Sequence, residues 1–577
     1  MNISYIIMSF LQAMTAPDTT KKGVNGASVY TEAGVEDGRV ALFTMLNRGL
    51  DKVYLQDAIR KLFAESETHV TQQYQLDLFL MAFQTRDIRG GKGEKQLFYD
   101  MMETLYELDP MTTKNMMKHI PEYGCWRDMW ELMRRVPELI ESIMTVVKER
   151  FLFDRVLLAA HSHEKMSLLS KWLPRENSKT YPGTANQIAA ALYPFVTSEM
   201  GQMMTYRKEV SAMNRAIKTV EVNMCNRTWA AIIPDAVPGR CLKMHTKAFF
   251  NQKQKGSEMR YSDSKDRMLC REHFLEFTEG LRLGTKKAHG AHVVMPHELI
   301  EKGLDYMTTA EEHDINEGQW VSILKEAEKQ GGLGRAVAMC DFSGSMHGQP
   351  KLISLGLGIL ISELTHPAFR NHILTFDAEP RWHSFTSGAT LRKKLQSISD
   401  KLGQGLNTDF YKACMSILKR MVQYRVPVGE EPEDLIVLTD MGFDAAAMER
   451  KQQPRQPFQT PHQPFQIESI RAKFVEEGEK LWGEGKGWKA PRIVVWNLRA
   501  DYKDFHAKAC QEGVVQLSGW SPNVLKALQK GPIQVITPYQ GLRKLLDDER
   551  YVKIAETWFC PSNDTRERRQ NLKGPPF

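Results

Sequence analysis

The chain has 577 residues, too many for one hydrophobic core, so about two to four domains are expected. A hydrophobic content of 42% and a charged content of 25% are those of a soluble globular protein, and no stretch reaches the length needed to span a bilayer. The eight cysteines are scattered without a C-x-x-C pair, which argues against a disulfide framework or structural zinc and for reduced thiols in the cytoplasm.

In chain order, residues 1–40 lack periodicity and read as a flexible N-terminal segment. Ile3 to Met14 is mildly apolar but has no basic start and no cleavage site, so a frayed or docking helix is expected there, not a signal peptide. From 41 to 290 the pattern is helical. Leu76, Phe79, Leu80 and Phe83 form one amphipathic stripe, and helix-like runs recur near 97–108, 126–149, 150–165, 186–217 and 264–283. Strand-like runs are nearly absent, so an all-α region of stacked HEAT-like helix pairs is expected. Trp126, Trp130 and Trp172 read as core or interface anchors. His161 and His163, two apart, would point to opposite sides of a helix, and His289, His292 and His297 read as surface residues.

The glycines of Arg89-Gly-Gly-Lys-Gly93 suit a phosphate cradle with Arg86 and Lys92 as counter-charges, although the Walker pattern is not met. The alternative is a tight interhelical turn with Arg86–Asp87 as a local ion pair. Residues 201–290 hold 17 Lys and Arg against 9 Asp and Glu, as much positive excess as the whole chain's +7 requires. That is the footprint of an anionic partner such as RNA, or equally a solvated Lys-rich surface. Arg86, Arg89, Lys92, Arg207, Lys208, Arg215, Lys243 and Lys247 are the RNA-contact candidates.

Residues 291–333 read as a junction, and 334–560 alternate between strand and helix as in a doubly wound, Rossmann-like α/β domain. The short apolar run Ala336–Cys340 leads into Asp341-Phe-Ser343-Gly-Ser345 and then a buried helix from Leu352. One carboxylate and two hydroxyls at alternating positions suit Mg²⁺ or Mn²⁺. Further strands are expected at 373–376, 382–385, 435–438, 493–496 and 514–517, with helices after Leu391 and from Phe410 to Met421. A Pro/Gln-rich insertion at 445–490 lies beside the proposed metal edge, as a partner-binding lid or an idle loop. A basic tail at 561–577 ends the chain.

Asp341-x-Ser343-x-Ser345 after a buried strand resembles the metal-ion-dependent adhesion site (MIDAS) of von Willebrand factor A (vWA) domains. That family completes its site with a Thr from a second loop and an Asp after a later strand. Here Gly403–Thr408 offers Thr408, and the strand from Asp434 ends at Asp440. The resemblance implies Ser343 and Ser345 as direct ligands, Thr408 as direct or water-bridged, and Asp341 and Asp440 as holders of coordinated waters. Arg86–Glu94 resembles a segment of the TROVE module of Ro ribonucleoproteins, and still more an uncharacterised family of viruses and eukaryotes joining a TROVE-like region to a vWA domain. Glu122–Trp130, Ser170–Pro174, Tyr206–Lys208, Pro491–Arg499 and Leu517–Pro522 fit that pattern in order.

The resemblance implies a non-enzymatic, Ro-like RNA-binding scaffold carrying a divalent ion. The alternative is a metal-dependent adaptor that takes an acidic protein partner without RNA. Catalysis is not expected: no paired general base stands near Ser343, and Asp341 occupies the place of the first glycine of a G-x-S-x-G elbow.

Overall fold

The structure, a computed structural model, describes residues 18–68, 72–256, 258–290, 293–329, 331–376, 380–399, 410–443, 467–529 and 535–559. A small hairpin, β1 (Thr20–Lys22) with β2 (Ser28–Tyr30), precedes the helices. The main sheet contains β3 (Ala336–Asp341), β4 (His372–Phe376), β5 (Trp382–Ser384), β6 (Asp434–Thr439), β7 (Arg492–Asn497) and β8 (Val514–Ser518). Its order is β5-β4-β3-β6-β7-β8, parallel except for the antiparallel edge strand β5. The chain steps from β3 to β4 on one side and returns to β6 on the other. The crevice at the carboxyl ends of β3 and β6 is therefore the switch point where ligands of such sheets gather.

The apolar runs read as strands are buried on both faces, as parallel strands covered by helices must be. Along β3, Ala336, Ala338 and Cys340 face one core, while Val337 and Met339 face the other. On the first face the Gln349–Leu364 helix approaches so closely that a side chain at Gly358 would strike the Cys340 sulfur. The Pro296–Leu304 helix packs against that helix in turn, so this core runs without a break into the helical half. The second face is covered by the Phe410–Gln423 and Ile467–Trp482 helices.

The protein is thus multidomain, a multihelical region followed by a mixed, mainly parallel sheet domain. Several local expectations are corrected. Residues 18–40 are not a loose lead-in: Tyr30 forms an antiparallel bridge with Phe505, and Lys21 pairs with Asp504 at 2.9 Å. The 126–149 run divides into helices Trp126–Arg135 and Ile140–Ala159 around Pro137, and the 186–217 run into Thr184–Leu192 and Glu199–Ala216 around Pro194, because proline withholds a helical N–H. His161, with φ at 53°, and His163 lie in the turn after Ala159, where their rings meet edge to face at 5.9 Å. The junction holds a 20-residue helix, Ala310–Lys329, that buries Ile315, Trp320 and Ile323. The insertion contributes the Ile467–Trp482 helix, and the Pro/Gln run and the 561–577 tail lie outside the described residues. The tryptophan reading agrees with the structure: Trp130 is buried and donates its indole N–H to the Trp172 carbonyl at 2.8 Å.

Both ends of the helical half rest on the sheet domain. At the front, the Gly38–Met45 helix lies on β8, and the Gln73–Arg86 helix meets the Pro538–Leu546 and Val552–Phe559 helices. At the back stands the Pro296–Leu304 helix already described. The two ends also touch each other: Met295 meets Gly93, whose φ of 74° suits glycine, and His297 sits edge-on to Trp520 at 5.2 Å. His297 is 4% exposed, which corrects its reading as a surface residue. Among the described residues no helix is long and apolar enough to cross a membrane.

Candidate metal centre

Asp341 is the last residue of β3 and is fully buried. Its Oδ1 accepts the Ser343 backbone N–H at 2.9 Å, and its Oδ2 accepts the Thr439 hydroxyl at 2.9 Å. This fixes the start of the loop, which makes one 3-10 turn over Gly344–Met346 before the next helix. The turn brings the hydroxyl oxygens of Ser343 and Ser345 to 3.0 Å from each other. Ser343 is buried and Ser345 half-buried, so the pair opens toward Gly344, where a Cβ would meet none of the described residues within 4 Å.

Asp440 follows β6 on the adjacent strand and is equally buried. Its Oδ1 accepts the Gly442 N–H at 3.0 Å, while its buried Oδ2 has no hydrogen-bond partner among the described residues. Met441 turns the chain with φ at 76°, a strained value for a bulky residue, and its carbonyl accepts from His506 Nε2 at 3.0 Å. A carbonyl only accepts, so Nε2 carries the proton. Burial pushes the His506 pKa down to about 4, which keeps the ring neutral in this role.

Two buried carboxylates on neighbouring strand ends are unfavourable unless a cation or a proton compensates them. Burial first, and the Asp440 charge second, push the Asp341 carboxyl up to about 7. Among the described residues no group of three or more His, Cys, Asp or Glu side chains could hold a metal, so the hydroxyls of Ser343 and Ser345 must complete any donor set here. That all-oxygen set, with one carboxylate oxygen lacking a partner, fits a hard divalent cation. Thr408 lies outside the described residues.

Three groups that the sequence reading did not single out wall this crevice. Arg499 donates through Nη1 to the Ser345 carbonyl. The side-chain amide of Asn25, in the hairpin turn, donates to the Gly442 carbonyl at 2.7 Å. The Tyr502 ring flanks the same glycine, with Cε2 3.3 Å from where a Cβ would stand. For Arg499 a clue existed, its place two residues past a buried strand at the carboxyl edge of an α/β sheet. For Asn25 none did.

The anion-contact candidates separate by burial. Arg86 is 1% exposed and pairs with Asp128 at 2.8 Å, not with its neighbour Asp87. Asp87 instead accepts from Arg550 Nη2 at 2.9 Å. Lys92 is fully buried, with its ammonium on the carbonyls of Phe43 and Leu46 and the hydroxyl of Ser518 at 3.1, 3.0 and 2.6 Å. Neither side chain reaches solvent, so the phosphate-cradle expectation is corrected for both: the glycine-rich segment is an interhelical turn. Arg89 is exposed and donates to the Glu122 carbonyl at 2.7 Å. Arg207, Lys208 and Arg215 are exposed along one stripe of the Glu199–Ala216 helix, where Arg207 pairs with Glu176 at 2.8 Å. Lys243 pairs with Glu298 at 2.9 Å, and Lys247 donates to the Gln254 carbonyl at 3.0 Å. Elsewhere in the basic span Lys253, Arg271, Arg282 and Lys286 also have acidic partners, so its charge excess is partly neutralised in place.

Comparison with known proteins divides the chain where the fold divides it. Residues 335–547 match the family described as Domain of unknown function (DUF7788), and residues 148–333 match Domain of unknown function (DUF2828). The chain is also similar to "Uncharacterized protein L728" of Acanthamoeba polyphaga mimivirus, 24% identical over 484 residues that cover 79% of this chain and 78% of the viral one. These descriptions name no activity.

Proposed function

We propose that this chain is a non-catalytic binding protein whose sheet domain, of vWA type, uses Mg²⁺ or Mn²⁺ to capture an anionic oxygen of a partner. The observation that carries the reading is the pair of buried carboxylates, Asp341 and Asp440, with Oδ2 of Asp440 unpartnered among the described residues and the hydroxyls of Ser343 and Ser345 paired in the loop that follows Asp341. In this reading Ser343, Ser345 and Thr408 supply hydroxyl oxygens, while Asp341 and Asp440 orient coordinated waters and balance charge. When bound, the ion supplies a hard Lewis-acid position open to an outside ligand. The chain's part is to hold that position rigid: both oxygens of Asp341 are fixed by Ser343 and Thr439, and one of Asp440 by Gly442. The helical half, whose two ends close on the sheet domain, serves as the scaffold.

Thermal unfolding with and without Mg²⁺ tests this, because a ligand that binds only the folded chain stabilises it by mass action. A rise in Tm that Asp341→Ala abolishes supports the reading; an equal rise in both chains counts against it.

A second reading, a Ro-like scaffold for RNA with TROVE-like, HEAT-like helices, is favoured by the exposed stripe of Arg207, Lys208 and Arg215. It places RNA on the outside of the Glu199–Ala216 helix, away from the buried Arg86 and Lys92.

A further inference from the structure

We propose that the amino-terminal hairpin belongs to the Asp341–Asp440 site, with Asn25 as the positioning residue that holds Asp440 through Gly442. The inference rests on the cation reading above and adds to it a segment 417 positions away from Gly442 in the chain.

Gly442 is gripped from two sides. Its N–H donates to Oδ1 of Asp440 at 3.0 Å, and its carbonyl accepts the Asn25 side-chain amide at 2.7 Å. A Cβ here would stand 3.2 Å from Oδ1 of Asp440 and 3.3 Å from the Asn25 amide nitrogen, so glycine lets both groups close on the same backbone. The preceding residue, Met441, has φ at 76°, and a bulky residue keeps such a conformation only where its surroundings hold it. Three groups do so. The Thr439 hydroxyl accepts the Met441 N–H at 3.3 Å, His506 Nε2 donates to the Met441 carbonyl at 3.0 Å, and Asn25 fastens the next residue. Without the Asn25 bond the turn is free to relax toward an ordinary φ, which carries the Gly442 N–H away from Asp440.

The hairpin is itself anchored on the neighbours of His506. Asp504, 2% exposed, accepts the Val24 N–H at 3.0 Å and pairs with Lys21 at 2.9 Å, and the Phe505 carbonyl accepts the Tyr30 N–H at 2.7 Å. Of residues 504–506, the first two thus hold the hairpin and the third holds the Asp440 turn. Asn25 is exposed, so water competes for its bond to Gly442 and the contact is a releasable one. A cation that draws on Asp440 favours the turn that the hairpin braces. By thermodynamic reciprocity, the hairpin strengthens cation binding and the cation strengthens hairpin docking by the same factor.

The test uses the full chain, parent and Asn25→Ala, with Mn²⁺ as the probe. Calorimetric titration gives the affinity, and hydrogen exchange of the 18–31 segment with and without Mn²⁺ reads the docking of the hairpin. Asn25→Ala is expected to bind Mn²⁺ about fivefold more weakly, while its metal-free Tm stays within about 1 °C of the parent's. Asn25→Gln, which keeps an amide donor on a longer stem, falls between. Mn²⁺ slows exchange across 18–31 in the parent, and less so in Asn25→Ala. Equal Mn²⁺ affinity in Asn25→Ala overturns the proposal, and so does hairpin exchange in the parent that Mn²⁺ leaves unchanged. A weaker affinity accompanied by a fall of several degrees in the metal-free Tm also overturns it, because Asn25 would then support the fold and not the site. Failure of the parent to bind Mn²⁺ overturns the cation reading itself, a result distinct from these three.

Discussion

The ammonium of Lys92 donates to the hydroxyl of Ser518 at 2.6 Å, joining the glycine-rich turn of the helical half to the end of the last sheet strand. Burial drives the Lys92 pKa well below its ordinary value, yet three acceptors surround the nitrogen and the Phe43 ring lies 4.0 Å away. The carbonyls of Phe43 and Leu46 are at the carboxyl end of the Gly38–Met45 helix, where the backbone dipole favours a cation. Lys92→Met keeps the aliphatic stem and strands these acceptors, so it is expected to destabilise the protein by about 3 kcal/mol. Chemical denaturation measures this, and a loss below about 0.5 kcal/mol would show that the acceptors find other partners.

His297 marks the other seam. Burial pushes its pKa from the ordinary 6.5 down to about 4, so the folded ring against Trp520 is neutral. Above pH 6.5 both folded and unfolded chains carry it uncharged, and the shift costs nothing. Between 6.5 and 4 the unfolded chain takes up a proton that the folded chain does not, so stability falls as pH falls through that window. The loss is on the order of 3 kcal/mol for a full shift of this size. His297→Phe preserves an edge-to-face ring and removes the titration. Its Tm is expected to change less than that of the unsubstituted chain between pH 7 and 4.5, and parallel curves would refute the assignment.

If RNA is bound, it meets the stripe of Arg207, Lys208 and Arg215. Replacing these three by Gln is expected to leave the Tm within about 1 °C, since surface changes cost little, and to reduce the slope of log affinity against log salt by about two to three. Fluorescence anisotropy with a single-stranded RNA at several salt concentrations provides the number. An unchanged slope would remove this face from consideration.

The doubly wound domain was legible because its strands are continuous apolar runs, and a candidate site was legible because it is a compact motif, Asp341-x-Ser343-x-Ser345, at a strand end. The hairpin was not. Its first strand, Thr20–Lys22, is three polar residues long, and Lys21, Asn25 and Tyr30 of the hairpin are held by Asp504, Gly442 and Phe505, all more than 400 positions away in the chain. The charged residues misled for a related reason. Arg86 and Lys92 look like solvent-facing counter-charges in a glycine-rich loop, and only the fold brings Asp128 and Ser518 to bury them. Arg499 escaped notice in the opposite sense, since nothing local to it announces Ser345.

Asp341 and Asp440 test the account as a whole. Asp440→Asn keeps the contact to the Gly442 N–H through its carbonyl oxygen and removes one buried charge, so the metal-free variant is expected to be as stable as the parent or more so. Isothermal titration of Mn²⁺ into both metal-free chains is the decisive measurement. One site per chain in the parent, weakened at least tenfold in a folded Asp440→Asn, is the predicted result. No binding by the parent, or equal binding by the two, would contradict a cation site at the end of β3 and β6.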